Sequence, residues 1–379
     1  MLKGGAIVFY VDDIVFCYRK RDQEVVDAAK RTLEAKYQLS FLGELKWFLG
    51  VHVLRDRQSR QIWLSQQAYI DKLTARFNID VTGKLPETPM AETELLPSTA
   101  IAAKSEIEQY QRKTGSILFA AITTRPDIAF ASSRLARFNT NPNKSHHEAA
   151  DRVLKHLHYT RGYTLQFGHQ KEKVSSICAS DASFADNSLD RKSSQGFIMT
   201  LFGGPIAWRA NKQDTVTTSS TEAELLALSQ TAKEAIFLSR LLKALTLRLD
   251  EPLTIQCDNK QTLRLLKEES AKLTTKLRHV DIHRHWLRQE VRDQRIFLDW
   301  VPTKQMPADG LTKSLGPQKH AKFRSMIGLM DETERLNREL RLEELREIIH
   351  ASRRQGDSEK ELVISSRGSN MRIMKELSL

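Results

Sequence analysis

The chain has 379 residues, 40% hydrophobic and 28% charged, which fits two or three folded domains and excludes wholesale disorder. Its 59 Lys and Arg outnumber 47 Asp and Glu, a net charge of +12 that favours a polyanionic partner, most often nucleic acid. Three cysteines without a CxxC pair (Cys17, Cys178, Cys257) exclude a disulfide framework and a Cys-rich zinc module. The apolar start runs straight into Asp12 and Asp13, too short and acidic for a signal peptide, and no 18-residue apolar run follows. A soluble protein of a reducing, intracellular compartment is expected.

In chain order, GAIVFYVDDIVFCY (residues 5–18) predicts two strands joined by a tight turn at Asp12-Asp13. Asp22 to Tyr37 carries Val25, Ala28, Ala29 and Leu33 at helical spacing. WFLGVHVLRD and QIWLS predict a hairpin, and QQAYIDKLTARF a helix. Residues 82–104, with Pro86, Pro89 and Pro97 and no steady periodicity, read as a linker between a first domain (1–81) and a helical region (105–165). One helix there must end before Pro126, and another presents Val153, Leu154 and Leu157 on one side. A separate α/β unit over 170–320 begins with three strands: SSICASDASF, SQGFIMTLFG and PIAWRA. A long helix, a strand (LTIQCD), two helices, a strand (RIFLDWV) and a helix (PADGLTKSL) complete it. That order predicts a mixed five-stranded sheet with helices on both faces. Residues 321–379 read as a charged helical tail.

Four acidic residues of this unit fall where strands end or helices begin: Asp181, Glu224, Asp258 and Asp309. Carboxylates gathered at one sheet edge repel unless cations neutralise them. Oxygen ligands without His or Cys select Mg²⁺ or Mn²⁺, and a pair of such ions suits in-line hydrolysis of a phosphodiester. Each acid taken singly also fits a turn or a cap. Ser219-x-x-Glu222 and Thr221-x-x-Glu224 both fit a capping box, so spacing leaves open which glutamate caps and which binds metal.

The strings SDASFADNSLDRKSSQGFIMTLFGGPIAWRANKQDTVTTSSTEAELLALSQ, QCDNK, HVDIHRHWLRQEV and WVPTKQMPADGLTK occur in order between residues 180 and 313. They resemble the ribonuclease H domain of copia-type LTR retrotransposon polyproteins. The resemblance implies the ribonuclease H fold and a two-ion Mg²⁺ or Mn²⁺ site. It also implies cleavage of RNA in an RNA–DNA hybrid, leaving a 3′-hydroxyl and a 5′-phosphate. Asp181, Glu224, Asp258 and Asp309 match the family's catalytic, metal-binding positions, and the A-E-L pattern selects Glu224 over Glu222. Residues 42–77 and 110–138 similarly resemble the family's reverse transcriptase. That likeness makes Asp12 and Asp13 of YVDD the metal-binding aspartates of a partial palm. It puts Phe48, Leu49 and Gly50 in a nucleic-acid-binding primer grip and residues 105–165 in the thumb or connection. A polymerase of this type needs another palm aspartate and fingers before YVDD, so independent DNA synthesis is not expected of this chain. The implied partners are an RNA–DNA hybrid and the upstream part of the polyprotein, with no membrane and no small-molecule cofactor. The implied location is a cytoplasmic virus-like particle or the nucleus, not the secreted fraction. An integrase-like strand-transfer enzyme and an inert, nucleic-acid-binding remnant are the competing readings.

Among weaker signals, Arg284 and Arg288 on a basic helix are candidate phosphate contacts. His279, His283 and His285 include an i, i+4 pair but no third soft ligand, and read as a helix face. Trp208 and Trp300 read as core residues.

Overall fold

The first two strands, β1 (Gly5–Tyr10) and β2 (Asp13–Tyr18), run antiparallel and close on the pair Tyr10–Asp13. The turn residues are therefore Val11 and Asp12, one position earlier than the sequence suggested. Val11 takes φ +51°, a left-handed conformation that a β-branched residue enters only under strain. These strands belong to the computed structural model of the chain, which describes residues 5–168, 176–247, 253–268, 277–342 and 373–378. It divides into two units, residues 1–54 with 332–379, and residues 55–331.

In the first unit, α1 (Gln23–Glu34) packs Val26 with Phe16 and Tyr18, flanked by Ala29 and Leu33. The buried stripe starts at Val26, and Val25 is exposed, a one-residue rotation from the expected face. After β3 (Ser40–Glu44), β4 (Trp47–Phe48) and β5 (Val51–Asp56) form a hairpin whose turn, Leu49-Gly50, takes φ +50° and +79°. Two successive positive φ values match the twist of the flanking strands.

The second unit holds β6 (Gln61–Ser65), α2 (Gln67–Arg76), α3 (Lys104–Thr123), α4 (Ala129–Ala136), α5 (Lys144–Tyr159) and β7 (Tyr163–Phe167). The four helices bury Ile70, Leu73, Tyr110, Ile117, Leu135, Val153, Leu154 and Leu157 together. Residues 82–104 lack helix or strand until α3 begins, but they are a docked strap rather than a loose linker. Met90 and Leu95 pack on the helical core, and the carbonyls of Pro86 and Leu96 meet ring nitrogens of His156 and His146 at 3.0 and 2.9 Å. Asn141 Nδ2 donates to Ala100 O at 3.0 Å.

The α/β portion follows: β8 (Ser176–Ser183), β9 (Ser194–Leu201), β10 (Gly204–Lys212), α6 (Ser220–Ala244), β11 (Thr254–Cys257), α7 (Lys260–Lys267), α8 (Arg278–Arg292) and β12 (Phe297–Trp300). The sheet order is β10-β9-β8-β11-β12, antiparallel through the first three strands and parallel from β8 onward. This is the mixed five-stranded sheet expected, and Leu225, Leu228, Ala232, Ala235 and Leu238 of α6 lie buried in its core. The helix expected at 307–315 is instead a short 3-10 turn (Asp309–Leu311). Next, α9 (Pro317–Met326) and β13 (Leu329–Asp331) complete the unit, with β13 paired to β7 and β7 to β6. An expected domain boundary at 320 thus falls inside α9, where Phe323 is buried. Residues 333–342 are helical, and 343–372 of the expected tail lie outside the described residues. The last strand, β14 (Ile373–Ser378), runs parallel between β2 and β3 in the first unit, so the tail is not wholly helical.

Candidate active site

Asp181 lies near the C-terminal end of β8 at 1% exposure. The parallel register sets Gln256 opposite Ala179, and the same two-residue step brings Asp258, just past β11, level with Asp181. Glu224 reaches the same edge from the second turn of α6, at 5% exposure. The helix start distinguishes the two glutamates. Ser219 Oγ accepts from Glu222 N at 3.2 Å, and Glu222 Oε2 accepts from Thr218 N at 2.7 Å and Thr218 Oγ1 at 2.8 Å. Glu222 is engaged in the cap. One carboxylate oxygen each of Glu224 and Asp258, with Cys257 Sγ, lies within 4.8 Å of the others.

Asp309 is brought in by close backbone approach. A Cβ on Gly196, which pairs with Asp181 across the sheet, would stand 2.6 Å from Leu311 Cβ. One on Gly310 would stand 2.4 Å from the Phe323 ring. Only glycine lets the 309–311 turn sit between β9 and α9. Lys313 Nζ then lies 2.5 Å from Asp309 Oδ1 and 3.6 Å from Asp181 Oδ2. Neighbouring groups fix the carboxylates: Thr312 Oγ1 donates to Asp181 Oδ2, and Thr303 Oγ1 donates to Asp258 Oδ2 at 2.6 Å. The Trp300 indole N–H donates to Asp258 O at 3.0 Å, while Lys260 Nζ sits 4.2 Å from the Trp300 ring centroid. Trp300 is 40% exposed, not a core residue, because its indole lies over the sheet edge to reach Asp258 O. Trp208 is half-buried, with its indole N–H donating to Ala121 O at 2.7 Å.

The electrostatics are those of crowded, under-neutralised acids. Burial, then the charges of Asp181 and Asp258, push the Glu224 carboxyl well above its ordinary range, and Glu224 Oε2 is buried without a hydrogen-bond partner. Asp181 is raised too, by burial and by Asp309 and Asp258, against the pull of Lys313 and Thr312. Burial opposes the Lys313 charge, yet Asp181 and Asp309 overcome it and raise that ammonium above its usual value. The Cys257 thiol is driven up by burial and by Glu224, so it stays protonated and the donor set is oxygen. Hard oxygen donors with an orphaned buried carboxylate oxygen fit Mg²⁺ or Mn²⁺.

Residues 4–92 match the reverse transcriptase (RNA-dependent DNA polymerase) family. The chain is similar to the retrovirus-related Pol polyprotein from transposon TNT 1-94 of Nicotiana tabacum, 33% identical over 330 residues, 85% of this chain and 24% of that one. It is also similar to a putative transposon Ty5-1 protein of Saccharomyces cerevisiae, 32% identical over 229 residues, 60% of this chain and 73% of the relative. The chain belongs to the copia-type retrotransposon Pol family. It spans about a quarter of the tobacco polyprotein's length. Its family-model match is to the reverse transcriptase region of such polyproteins. Among solved structures it is similar to LC11-RNase H1 in complex with an RNA/DNA hybrid, at 14% identity over 36% of this chain and 94% of that one, with a TM-score of 0.29.

In this Pol chain, the other expected site residues are arranged as follows. Asp12 is exposed in the β1–β2 turn, with Asp13 half-buried beside it. Among the described residues, no group of three Asp, Glu, His or Cys ligand atoms includes either one. Phe48 ends β4 and Leu49-Gly50 form the β4–β5 turn, braced by Trp47 stacked on His52 at 4.4 Å. The Arg284 side chain is 11% exposed and ion-paired with Asp281 at 3.1 Å. Arg288 is more open, donating to Glu268 O at 3.2 Å. His283 Nδ1 meets Ser229 Oγ at 2.8 Å and His285 pairs with Asp281, so the helix histidines do not converge. A second ligand-like cluster, Asp127, His156 and His320, is fully buried, but Arg125 Nε and Nη2 occupy both Asp127 oxygens at 2.8 Å. A resident guanidinium there opposes a cation. Among the described residues, no helix is long and apolar enough to cross a membrane.

Sequence reasoning took Trp300 for a core residue and did not single out Thr303, Thr312 or Lys313. All four lie in the WVPTKQMPADGLTK string already noted, where the cue was a threonine and a lysine following each acidic or aromatic anchor.

Proposed function

We propose that residues 176–316 form a divalent-cation-dependent ribonuclease H that hydrolyses RNA in an RNA–DNA hybrid. The observation that carries this reading is the gathering of Asp181, Glu224, Asp258 and Asp309 at one sheet edge, with a buried Glu224 oxygen left without a partner. In this role the four carboxylates hold the ions. Thr312 orients Asp181, Thr303 orients Asp258, and Trp300 anchors the Asp258 backbone. A bound pair of Mg²⁺ or Mn²⁺ ions would supply an activated water and neutralise the leaving oxygen of the phosphodiester. The 2′-hydroxyl is the feature by which RNA is told from DNA. Arg288, open on α8, would contact backbone phosphate in preference to Arg284, whose charge is committed to Asp281.

We further propose that residues 1–81 do not make DNA unaided, since Asp12 and Asp13 have no third ligand gathered with them among the described residues. Their contribution is to hold nucleic acid at the Phe48–Gly50 turn. The test is Mg²⁺-dependent digestion of a labelled RNA–DNA hybrid by the full chain, beside Asp258→Asn. Cleavage that falls at least ~100-fold in the variant is expected, the scale of losing a group that stabilises transition-state charge. Equal activity of the two proteins, or strand transfer on duplex DNA in place of hybrid cleavage, would reject the reading.

A further inference from the structure

Lys313 stands where a cation belongs. Its ammonium lies between oxygens of two different aspartates, Asp309 Oδ1 at 2.5 Å and Asp181 Oδ2 at 3.6 Å. Among the described residues, no other ion pair reaches Asp181, Glu224, Asp258 or Asp309. Oxygens from separate carboxylates converging on one positive centre are the arrangement a small divalent ion takes, and the two occupants cannot share it. The lysine also has somewhere to go. Its side chain is 38% exposed, and it lines a cavity of about 470 Å³ whose other walls carry Glu92 and Glu94 beside the ion pairs Arg134–Asp186 and Lys212–Asp190. Its stem is flexible, so the ammonium has open space to turn into when it leaves the aspartates.

We propose that Lys313 is the resident counter-ion of the metal-free site, exchanged for a divalent cation on loading. It is a positioning residue: it keeps four mutually repelling carboxylates gathered when no metal is present, and it lowers metal affinity because it must be displaced. The proposal rests on the reading above, that these carboxylates take divalent cations. Removing the lysine therefore has two opposite effects. The metal-free fold becomes less stable, and the metal binds more tightly.

The experiment uses the full chain and Mn²⁺, with affinity read from loss of the free-ion paramagnetic signal and stability from the melting temperature with and without the ion. Lys313→Gln is expected to melt lower without metal, to bind Mn²⁺ about tenfold more tightly, the scale of one charge-assisted hydrogen bond, and to gain more in melting temperature on loading. Lys313→Arg, which keeps the charge, should stay near the unaltered chain. A Lys313→Gln protein that folds only once Mn²⁺ is added supports exchange, and one that does not fold even then counts against it. Unchanged or weaker Mn²⁺ binding by Lys313→Gln overturns the proposal while leaving the metal site standing, as does an equal gain in Lys313→Arg, which would trace the effect to packing. Absence of Mn²⁺ binding by the unaltered chain and Lys313→Gln alike, with Asp258→Asn indistinguishable from both, would overturn the metal reading itself.

Discussion

Asp127 and Asp181 are buried to the same degree, at 2% and 1% exposure, and the protein treats them in opposite ways. Both oxygens of Asp127 accept from Arg125, which also donates to Thr160 O at 3.1 Å, and His156 approaches at 3.5 Å. Burial opposes its charge, yet Arg125 and His156 hold its carboxyl well below the usual range. Asp181 has one hydroxyl and one lysine, with Asp258 and Asp309 pressing on it, and its carboxyl is raised. A buried charge with its partners in place is a rivet. Carboxylates crowded together with too little positive charge are what the proposed divalent ions would neutralise.

Breaking the rivet should produce the largest effect. Arg125→Met leaves Asp127 an unpaired buried charge, and a loss of about 3–5 kcal/mol is expected in urea unfolding of the chain. Asp258→Asn, which removes one member of the crowded cluster, should shift the same unfolding curve by less than about 1 kcal/mol while reducing hybrid cleavage. Similar losses from the two substitutions would erase the distinction.

Next in size is the response to acid. Burial pushes His320 down to about 4 and lowers His156 as well. Both rings are held neutral in the folded chain but take up protons near pH 6.5 once unfolded. The unfolded state therefore binds more protons below that pH. Stability is fully present above about 6.5 and is lost as pH falls toward 4, by about 3 kcal/mol for His320. Denaturant midpoints measured from pH 7 to 4 should decline, and His320→Asn should decline less steeply. A flat profile in the unaltered chain would mean that this cluster is not closed to solvent.

Much of the crowded cluster was legible because its signals are local. Alternation along SSICASD and LTIQCD aims Asp181 and Asp258 at one edge, and the apolar stripe of α6 fixes which face of that helix meets the sheet. What stayed hidden depends on groups far apart in the chain. The glutamate pair is the local exception: spacing alone does not separate Glu222 from Glu224, the resemblance selects Glu224, and the bonds of Ser219 and Thr218 show Glu222 engaged in the cap. A helix at PADGLTKSL was a fair reading of a proline at a helix start. It fails because Gly310 must lie against Phe323, and that contact is made by a residue of the next helix. The strap at 82–104 looked like a linker because its partners, His146, Asn141 and His156, lie about 40 to 70 positions away. Asp127 carries no sequence signal of its own, because His156 and His320 reach it from about 30 and 190 positions away and only the fold encloses its pair with Arg125.

The smallest expected effect is also the sharpest test of the contrast, because its sign is unusual for an acid. A carboxyl that is paired stabilises the fold once ionised. Glu224 is raised, by burial first and then by Asp181 and Asp258, so the folded chain holds its proton when the unfolded chain has released it. Between the ordinary glutamic range and the raised value, the folded state binds more protons. Its contribution is therefore most favourable at low pH, falls as pH rises through that window, and is an undiminished penalty above it. Glu224→Gln keeps the shape, removes the charge and lacks this fall. Without divalent ions at neutral pH, it should be more stable than the unaltered chain by roughly 0.5–2 kcal/mol, the usual gain from relieving a functional site, while losing hybrid cleavage. Denaturation in chelator at pH 5 and pH 8 decides it: the gain should be larger at pH 8. A variant destabilised at both values would show that Glu224 is held by partners, as Asp127 is, and that the two clusters are not different in kind.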